Sequence, residues 1–270
     1  SLGYAYEIVI GIEDMPGRVR FCYGRGFESG PQSDLNNPAV TNANDVDFTG
    51  ISWDVFKKGD SFFNFQSFAA LNMFNYPGDL DWENQFGYRR QNLGDIYHTS
   101  AVYMDKVQAL NWFVQAGWSK TKARGMDDFG FSLLGWMTPP EDHDGYSVYA
   151  GVRYDIDDLG LKLGAEYNWG SEYWISFTPG HDDLYASKLG TRGNVIELYG
   201  IYDLPAGEAI SSLSRAFMRL GYQHYEYDYT GSGYWLGAPV DMDQTAVYPG
   251  LMYAPIETMD QVYLTFEAWF

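Results

Sequence analysis

The sequence predicts an all-β fold, an antiparallel transmembrane β-barrel with about eleven strands in a single domain of 270 residues. Three patterns predict it: apolar and polar residues alternate with period two, the alternating segments run for about ten to twelve residues, and their connections are short and long in turn. A transmembrane β-strand needs about nine to eleven tilted residues, whereas strands in soluble sandwiches have about five or six. The strand lengths therefore favour a barrel in a membrane.

Composition excludes several other classes of protein. The formal net charge is −19, which is unsuited to phosphate binding and argues against nucleic acid as a partner. The single cysteine, Cys22, cannot form a disulfide framework or a cysteine-rich metal site, and no motif for covalent haem attachment is present. Aromatic residues make up 18% of the chain, far more than disordered chains contain. No run of about 18 apolar residues offers a transmembrane helix.

The alternation is clearest in two neighbouring segments. In residues 159–169 the odd positions are apolar, and Lys162 and Glu166 lie between them. Residues 146–156 follow the same pattern, with Arg153 on the opposite side. Aromatic rings concentrate at strand ends, and such amphipathic rings favour the headgroup level of a membrane. Each strand is thus expected to have one face suited to lipid and one suited to water.

The order of the elements follows from these alternating segments. The predicted strands occupy residues 2–12, 18–27, 45–57, 60–74, 93–104, 107–120, 145–157, 159–170, 194–204, 213–229 and 260–270. The predicted long extracellular loops occupy residues 28–44, 75–92, 121–144, 171–193 and 230–259. Short turns join the remaining strand pairs, which is the alternation typical of bacterial outer-membrane barrels.

Four segments predict local departures from this regular pattern. The alternation changes phase near Gly50, which predicts a β-bulge. Residues 93–104 leave open which face of their strand is apolar. Residues 129–136 predict an extra hairpin inside a loop, and residues 172–175 predict a strand that extends beyond the membrane.

The odd number of strands predicts a barrel larger than this segment. Bacterial single-chain barrels have even strand numbers, and an unpaired strand edge cannot be left in lipid. We therefore expect residues 1–270 to be the C-terminal part of a larger, even-stranded barrel, or to be completed by a partner.

The most specific local pattern lies at the end of the sequence. Alternate apolar residues there share one face, namely Val262, Leu264, Phe266, Ala268 and Phe270. This pattern resembles the C-terminal β-signal of Gram-negative outer-membrane proteins, which implies that Phe266 and Phe270 are recognised by the barrel-assembly machinery through edge-strand addition.

The whole chain also resembles outer-membrane β-barrel proteins of the porin type. Residues 20–30, which read RFCYGRGFESG, are similar to uncharacterised porin-type proteins of anaerobic sulfate- and metal-reducing bacteria. The resemblance implies the outer membrane of a Gram-negative bacterium as the location, with membrane lipid and lipopolysaccharide as the surroundings. It lends no catalytic residues.

On these strand phases, charges of both signs face the predicted lumen. They are Glu7, Arg18, Arg20, Arg153, Asp155, Lys162, Glu166, Glu197, Asp203, Arg215, Arg219 and Glu267. Charged walls hold water in a pore and set its ion preference. The four arginines Arg18, Arg20, Arg215 and Arg219 are expected to form a basic wall opposite acidic residues. An equally open alternative is that the charges pair across strands and fill the interior as structural ion pairs.

The long loops carry more than half of the net negative charge. Those that could bind Ca²⁺, or bridge to lipopolysaccharide through divalent ions, are Asp79, Asp81, Glu83, Asp142, Asp144, Asp241 and Asp243. None has the twelve-residue spacing of an EF-hand, and solvated acidic loops are the favoured interpretation. The sequence therefore predicts no cofactor, and an acidic mouth that favours cations.

Together these features predict a porin-like channel without enzymatic activity, for passive diffusion of small hydrophilic solutes or ions. One alternative is a structural barrel that sheaths or anchors a partner such as a multihaem cytochrome. Another is an outer-membrane protease that uses His143 or His181 with neighbouring aspartates, although adjacency in sequence does not establish a catalytic geometry. A homo-oligomer and a periplasmic or extracellular partner both stay open.

Overall fold

The computed structural model describes residues 3–12, 15–27, 44–75, 91–177, 186–204, 215–247 and 255–269. In these ranges eleven strands form one antiparallel sheet and two short strands form a separate hairpin. The strands are β1 (Gly3–Ile12), β2 (Met15–Phe27), β3 (Val46–Lys58), β4 (Ser61–Phe74), β5 (Asn92–Val107), β6 (Leu110–Ala123), β7 (Phe131–Ser132), β8 (Gly135–Trp136), β9 (Asp144–Ile156), β10 (Leu161–Gly170), β11 (Gly193–Leu204), β12 (Arg215–Tyr227) and β13 (Thr258–Trp269). The predicted eleven strands and the extra hairpin are confirmed.

The sheet is a meander in which each strand pairs with its neighbour in sequence. The one insertion is the β7–β8 hairpin, across which β6 pairs with β9. Turns of a few residues join β3 to β4, β5 to β6 and β9 to β10, and the last of these contains a 3₁₀ helix, Asp157–Leu159. In the part of the chain that the structure describes, β1 and β13 are the edges of the sheet, with no ladder between them.

The sheet has an apolar face and a polar face, as the alternation predicts. The apolar face carries exposed leucines, among them Leu198 at 53%, Leu220 at 57% and Leu264 at 67% exposure. The polar face carries Glu166 and Glu197 at alternating positions of β10 and β11. A soluble domain of this size would cover such rows of leucine with a second layer. Among the described residues, no helix is long and apolar enough to cross a bilayer.

The β-bulge predicted at Gly50 is wrong. Gly50 lies in regular ladders on both of its sides, and the register of β3 against β4 shifts instead between Asp54 and Phe56. The apparent change of phase has another cause, because Phe48 is an apolar residue on the polar face. Its ring packs edge-on against Phe177 of a long loop, with centroids 6.1 Å apart.

The backbone conformation of Gly94 explains why the apolar face of residues 93–104 was ambiguous in the sequence. Gly94 has φ of +145°, and a Cβ atom there would lie 2.0 Å from the carbonyl oxygen of Lys122. This conformation, which L side chains rarely adopt, changes the phase of β5 near its end. Leu93 and Ile96 are therefore both fully buried, although strict alternation would place them on opposite faces.

The main hydrophobic core lies between the strand ends and the long loops, and we call it the loop core. Its buried members are Val46, Ala70, Met73, Leu93, Ile96, Leu133, Leu134 and Ile175. Trp235 and Leu236, from the connection between β12 and β13, pack against it. The indole nitrogen of Trp235 donates to the carbonyl oxygen of Phe74 at 3.4 Å. Loops that are distant in sequence thus share one core.

The strand extension predicted at residues 172–175 is wrong. These residues form a turn and an irregular segment in which Trp174 and Ile175 are buried, at 3% and 0% exposure. The apolar side chains of the segment contribute to the loop core and to a contact with the sheet, so they fold back instead of continuing the strand.

Candidate functional site

The polar face concentrates its charges around Glu197 on β11, whose side chain is only 1% exposed. Its carboxylate accepts hydrogen bonds from Lys188 Nζ at 2.5 Å, Arg219 Nη2 at 2.5 Å and Gln223 Nε2 at 2.9 Å. The hydroxyl of Tyr263 on β13 also donates to it. Alternation brings together Glu197, Arg219, Gln223 and Tyr263, because β12 pairs with both β11 and β13 and each strand places every second side chain on the same face.

A second carboxylate, Glu166 on β10, belongs to the same arrangement. It accepts hydrogen bonds from the Tyr149 hydroxyl and from Lys188 Nζ, so Lys188 bridges Glu166 and Glu197. We call Tyr149, Glu166, Lys188, Glu197, Tyr199, Arg219, Gln223 and Tyr263 the Glu197 cluster. Two carboxylates and two cations balance its charge, which is the condition under which ionised groups tolerate burial.

Aromatic rings line the cations of the Glu197 cluster. Lys188 Nζ lies 4.9 Å from the ring centroid of Tyr149, and the Arg219 guanidinium lies 4.0 Å from that of Tyr199. Both distances are within the range of cation–π attraction. The cluster therefore offers cations both negative charge and aromatic faces.

Lys188 reaches the cluster from a loop and not from a strand. It begins a 3₁₀ helix, Lys188–Gly190, and its carbonyl oxygen accepts a hydrogen bond from Asn168 Nδ2 at 2.8 Å. Burial alone would lower the pKa of Lys188, but its bonds to Glu166 and Glu197 hold the pKa above the ordinary value. The ammonium group is therefore charged at neutral pH.

Residues 171–177 lie across the polar face of β6. The backbone nitrogen of Ile175 donates to Ser119 Oγ at 3.1 Å, and the indole of Trp174 donates to the carbonyl oxygen of Leu189 at 2.8 Å. Gly117 makes room for this crossing, since a Cβ atom there would lie 2.4 Å from the Trp174 ring. The segment covers part of the face on which the charges stand.

Arg192 joins this segment to the next long loop. Its guanidinium donates to the carbonyl oxygens of Trp174 at 3.1 Å, Thr230 at 3.0 Å and Tyr234 at 2.6 Å. The side chain is 1% exposed, and this burial lowers the pKa of Arg192 to about 10. The guanidinium of Arg192 therefore connects three backbone carbonyl groups from two loops.

Three smaller ion pairs occupy other parts of the polar face. Arg20 pairs with Asp54 at 2.8 Å, Arg153 with Asp155 at 2.8 Å and Lys162 with Asp203 at 2.6 Å. Arg18 and Glu267 are exposed on the same face. The side chains of Glu7 and Arg215 lie outside the described residues.

The predicted lumen charges with described side chains thus share one face of the sheet, and most of them are paired. Pairing of these charges is one element of the second arrangement that the sequence left open, and whether they fill an interior stays a prediction. Arg20 and Arg219, two of the four arginines of the predicted basic wall, each bond an acidic neighbour on an adjacent strand. Whether this face lines a pore stays a prediction.

Three of the four described acidic loop residues, Asp142, Asp144 and Asp241, accept hydrogen bonds from protein donors. Asp142 accepts from the backbone nitrogen of Ala123, and Asp144 accepts from Trp118 and Lys120. Asp241 and Asp243 flank a turn in which the Asp243 nitrogen donates to Asp241. Asp79, Asp81 and Glu83 lie outside the described residues. Within the described ranges, no three His, Cys, Asp or Glu residues gather as metal ligands.

His143 has the surroundings of a packed side chain. Its ring stacks on Tyr173, with centroids 4.1 Å and planes 12° apart, and its backbone nitrogen donates to Thr121 Oγ1 at 3.0 Å. Burial lowers the pKa of His143, against the opposing charge of nearby acids. Within the described ranges this ring forms no hydrogen bond to an aspartate, and His181 lies outside them.

The alternation in residues 146–156 already placed Tyr149 on the same side as Arg153, but sequence reasoning missed Lys188, Gln223 and Tyr263. Gln223 and Tyr263 stand at alternate positions of strands whose phase was predicted, so the same pattern could have placed them on the polar face. Lys188 had no such signal, because a loop position has no periodicity.

Comparison with known proteins assigns the chain to a family. No curated protein matches the chain. A family model described as "Protein of unknown function (DUF3373)" matches residues 1–270, the full length of the sequence. The chain therefore belongs to the DUF3373 family.

Proposed function

We propose that this protein is an outer-membrane β-barrel of the porin type, a channel for passive diffusion of small hydrophilic solutes or ions with a mild preference for cations. One observation carries the proposal: a single long meander exposes leucine and valine on one face and gathers its charges on the other. Lipid around the first face and water against the second would satisfy both.

The ends of the apolar face support a membrane boundary. Near the long loops, aromatic side chains on this face donate to polar partners: Tyr23 to Asp47 at 2.7 Å, Trp118 to Asp144 at 2.9 Å, Tyr167 to Asn194 at 2.7 Å and Tyr222 to Asp260 at 2.6 Å. Such amphipathic rings favour the interface between lipid and water. All four pairs lie at strand ends next to the long loops, which supports a boundary on that side.

The strand length between the two boundaries fits a bilayer. On β11 the apolar face extends from Asn194 to Tyr202 through Ile196 and Leu198. At about 3.3 Å per residue and a tilt near 40°, this stretch rises roughly 20 Å, comparable with the apolar band of outer-membrane barrels.

The charges favour cations. The chain has a formal net charge of −19, while the Glu197 cluster is balanced. Excess acidic residues elsewhere would concentrate cations near the channel entrance. The cover formed by residues 171–177 would narrow the path on the polar face, which restricts passage to small solutes.

Reconstitution of the protein into planar bilayers tests the proposal. We expect stepwise, ohmic currents and, in a salt gradient, a reversal potential of the sign for cation preference. Folded protein that inserts into the bilayer but carries no current would contradict a channel. Haem that co-purifies with such a silent protein would instead favour a barrel that sheaths a cytochrome.

A substitution on the apolar face tests its contact with lipid. We expect Leu198→Arg to lower the free energy of unfolding in lipid vesicles by about 2–4 kcal/mol, because a charge would enter the hydrocarbon near mid-strand. The control is Leu159→Arg in a short turn, where Leu159 is 63% exposed and the expected loss is about 0–1 kcal/mol. Equal losses in urea titrations of the two variants would argue against lipid at this face.

A further inference from the structure

The ammonium group of Lys188 is held as a bound amine ligand would be held. Two carboxylates, Glu166 and Glu197, accept its hydrogen bonds, and the ring face of Tyr149 lies 4.9 Å away. Charge-assisted hydrogen bonds and an aromatic face are the general means by which proteins recognise ammonium groups. Strands of the sheet supply the two carboxylates and the aromatic ring, and a loop supplies the ammonium group.

The loop that carries Lys188 is the one that covers the polar face. The carbonyl oxygen of Leu189, the next residue, accepts the indole hydrogen bond of Trp174 at 2.8 Å. Release of the ammonium group would therefore free the adjacent contact between residues 171–177 and the 3₁₀ helix. Lys188 bonds the two carboxylates and Leu189 bonds residues 171–177. Because these two residues are successive, movement of one is expected to move the other.

We propose that Glu166, Glu197 and the Tyr149 ring form a binding site for primary ammonium ions, and that Lys188 is its built-in occupant, a latch that amine-bearing solutes displace. The inference deepens the proposed function, on which it rests for the meaning of the site as a solute site. It names the solute class as small primary amines and assigns Lys188 the role of an internal competitor.

The charges around the site explain why a cation must replace Lys188. Glu197 also pairs with Arg219 at 2.5 Å, whereas Lys188 is the cation bonded to Glu166 among the described residues. Loss of the ammonium group would leave one uncompensated negative charge against a wall in which Glu197 is 1% exposed. An uncompensated buried charge is costly, so a free amine of suitable size gains the binding energy that Lys188 had.

Chemical rescue of Lys188→Ala tests the site. The thermal unfolding midpoint of the purified protein in detergent is measured with ethylammonium chloride and with sodium chloride at equal ionic strength. We expect the variant to unfold at a lower temperature than the wild type, and ethylammonium to restore part of the loss where sodium does not. In the wild type ethylammonium must compete with Lys188 for the site, so we expect a specific response to ethylammonium that is weaker than the response of the variant.

Two further variants control the rescue. Lys162→Ala removes a cation from the same face, where Lys162 pairs with Asp203 at 2.6 Å, and should show no specific response to ethylammonium. Glu166→Gln combined with Lys188→Ala should abolish the rescue, because one of the two carboxylates is gone. If Lys188→Ala does not fold, Lys188→Met retains most of the apolar stem and serves in its place.

Conductance measurements distinguish an incorrect ammonium-site proposal from an incorrect channel proposal. We expect Lys188→Ala to raise the cation-to-anion permeability ratio about fivefold, because one positive charge leaves the wall, and ethylammonium to reduce its current. A conducting variant with wild-type selectivity and equal responses to ethylammonium and sodium would overturn the latch and leave the channel standing. Rescue by ethylammonium in a protein that carries no current would support the ammonium site and overturn the channel.

Discussion

Replacement of Arg192 by methionine is expected to open the loop assembly. The guanidinium satisfies three carbonyl oxygens from two loops, and methionine would leave these acceptors without a donor in a site that is 1% exposed. Loss of a buried, charged donor of this kind costs about 3–5 kcal/mol. The measurements are the unfolding free energy in vesicles and the rate at which protease cleaves the loops of the intact protein.

Two other arginine substitutions serve as comparisons for Arg192→Met. Arg192→Lys retains the charge but cannot reach three acceptors in the geometry of a guanidinium, so we expect a loss between those of the wild type and Arg192→Met. Arg124→Met is the control, because the Arg124 side chain is 55% exposed and forms one ion pair, with Asp95. Protease resistance of Arg192→Met equal to that of Arg124→Met would show that the guanidinium does not hold the loops.

Replacement of Glu197 by glutamine is expected to have the largest effect on the polar face. Lys188 and Arg219 would lose the carboxylate that both contact at 2.5 Å, and a buried excess of positive charge would remain. Breaking a buried ion pair from one side costs about 3–5 kcal/mol. In planar bilayers the same change should shift the reversal potential towards anions, since the wall gains one net positive charge.

The control for this charge change is Asp203→Asn. Asp203 is on the same strand and the same face, but its side chain is 47% exposed and it pairs with Lys162 alone among the described ion pairs. A pair this exposed contributes about 0–1 kcal/mol. If both variants lost equal stability, the Glu197 cluster would be no more than a set of surface pairs.

The strands were predictable because their signal is local. Period-two alternation and segment length depend on neighbouring residues alone, and they identified all eleven strands to within a few residues. The same alternation placed Glu166, Glu197 and Arg219 on one face of the sheet. The sequence of a strand therefore determines, without other parts of the chain, which side chains share a face.

The roles of the loop residues were not predictable, because they depend on contacts that are distant in sequence. Lys188 and Arg192 acquire their roles from partners on other strands and loops, and no local pattern records those contacts. The errors at Gly50 and at residues 172–175 have the same origin, because apolar side chains of the loops pack against apolar residues such as Phe48 on the polar face. In the sequence, an apolar residue on the polar face then resembles a change of strand phase.

The loop core has a consequence for the order of folding. The bond between Trp235 and the carbonyl oxygen of Phe74 joins residues 161 positions apart, and the chain between them includes β5 to β12. Contacts this distant in sequence form only after the intervening segments have been positioned, because closing so long a loop has a high entropic cost. Formation of this contact is therefore a late event, and shielding of the Trp235 indole from water, followed by fluorescence during refolding, would report that the six intervening strands of the main sheet and the inserted hairpin are already in place.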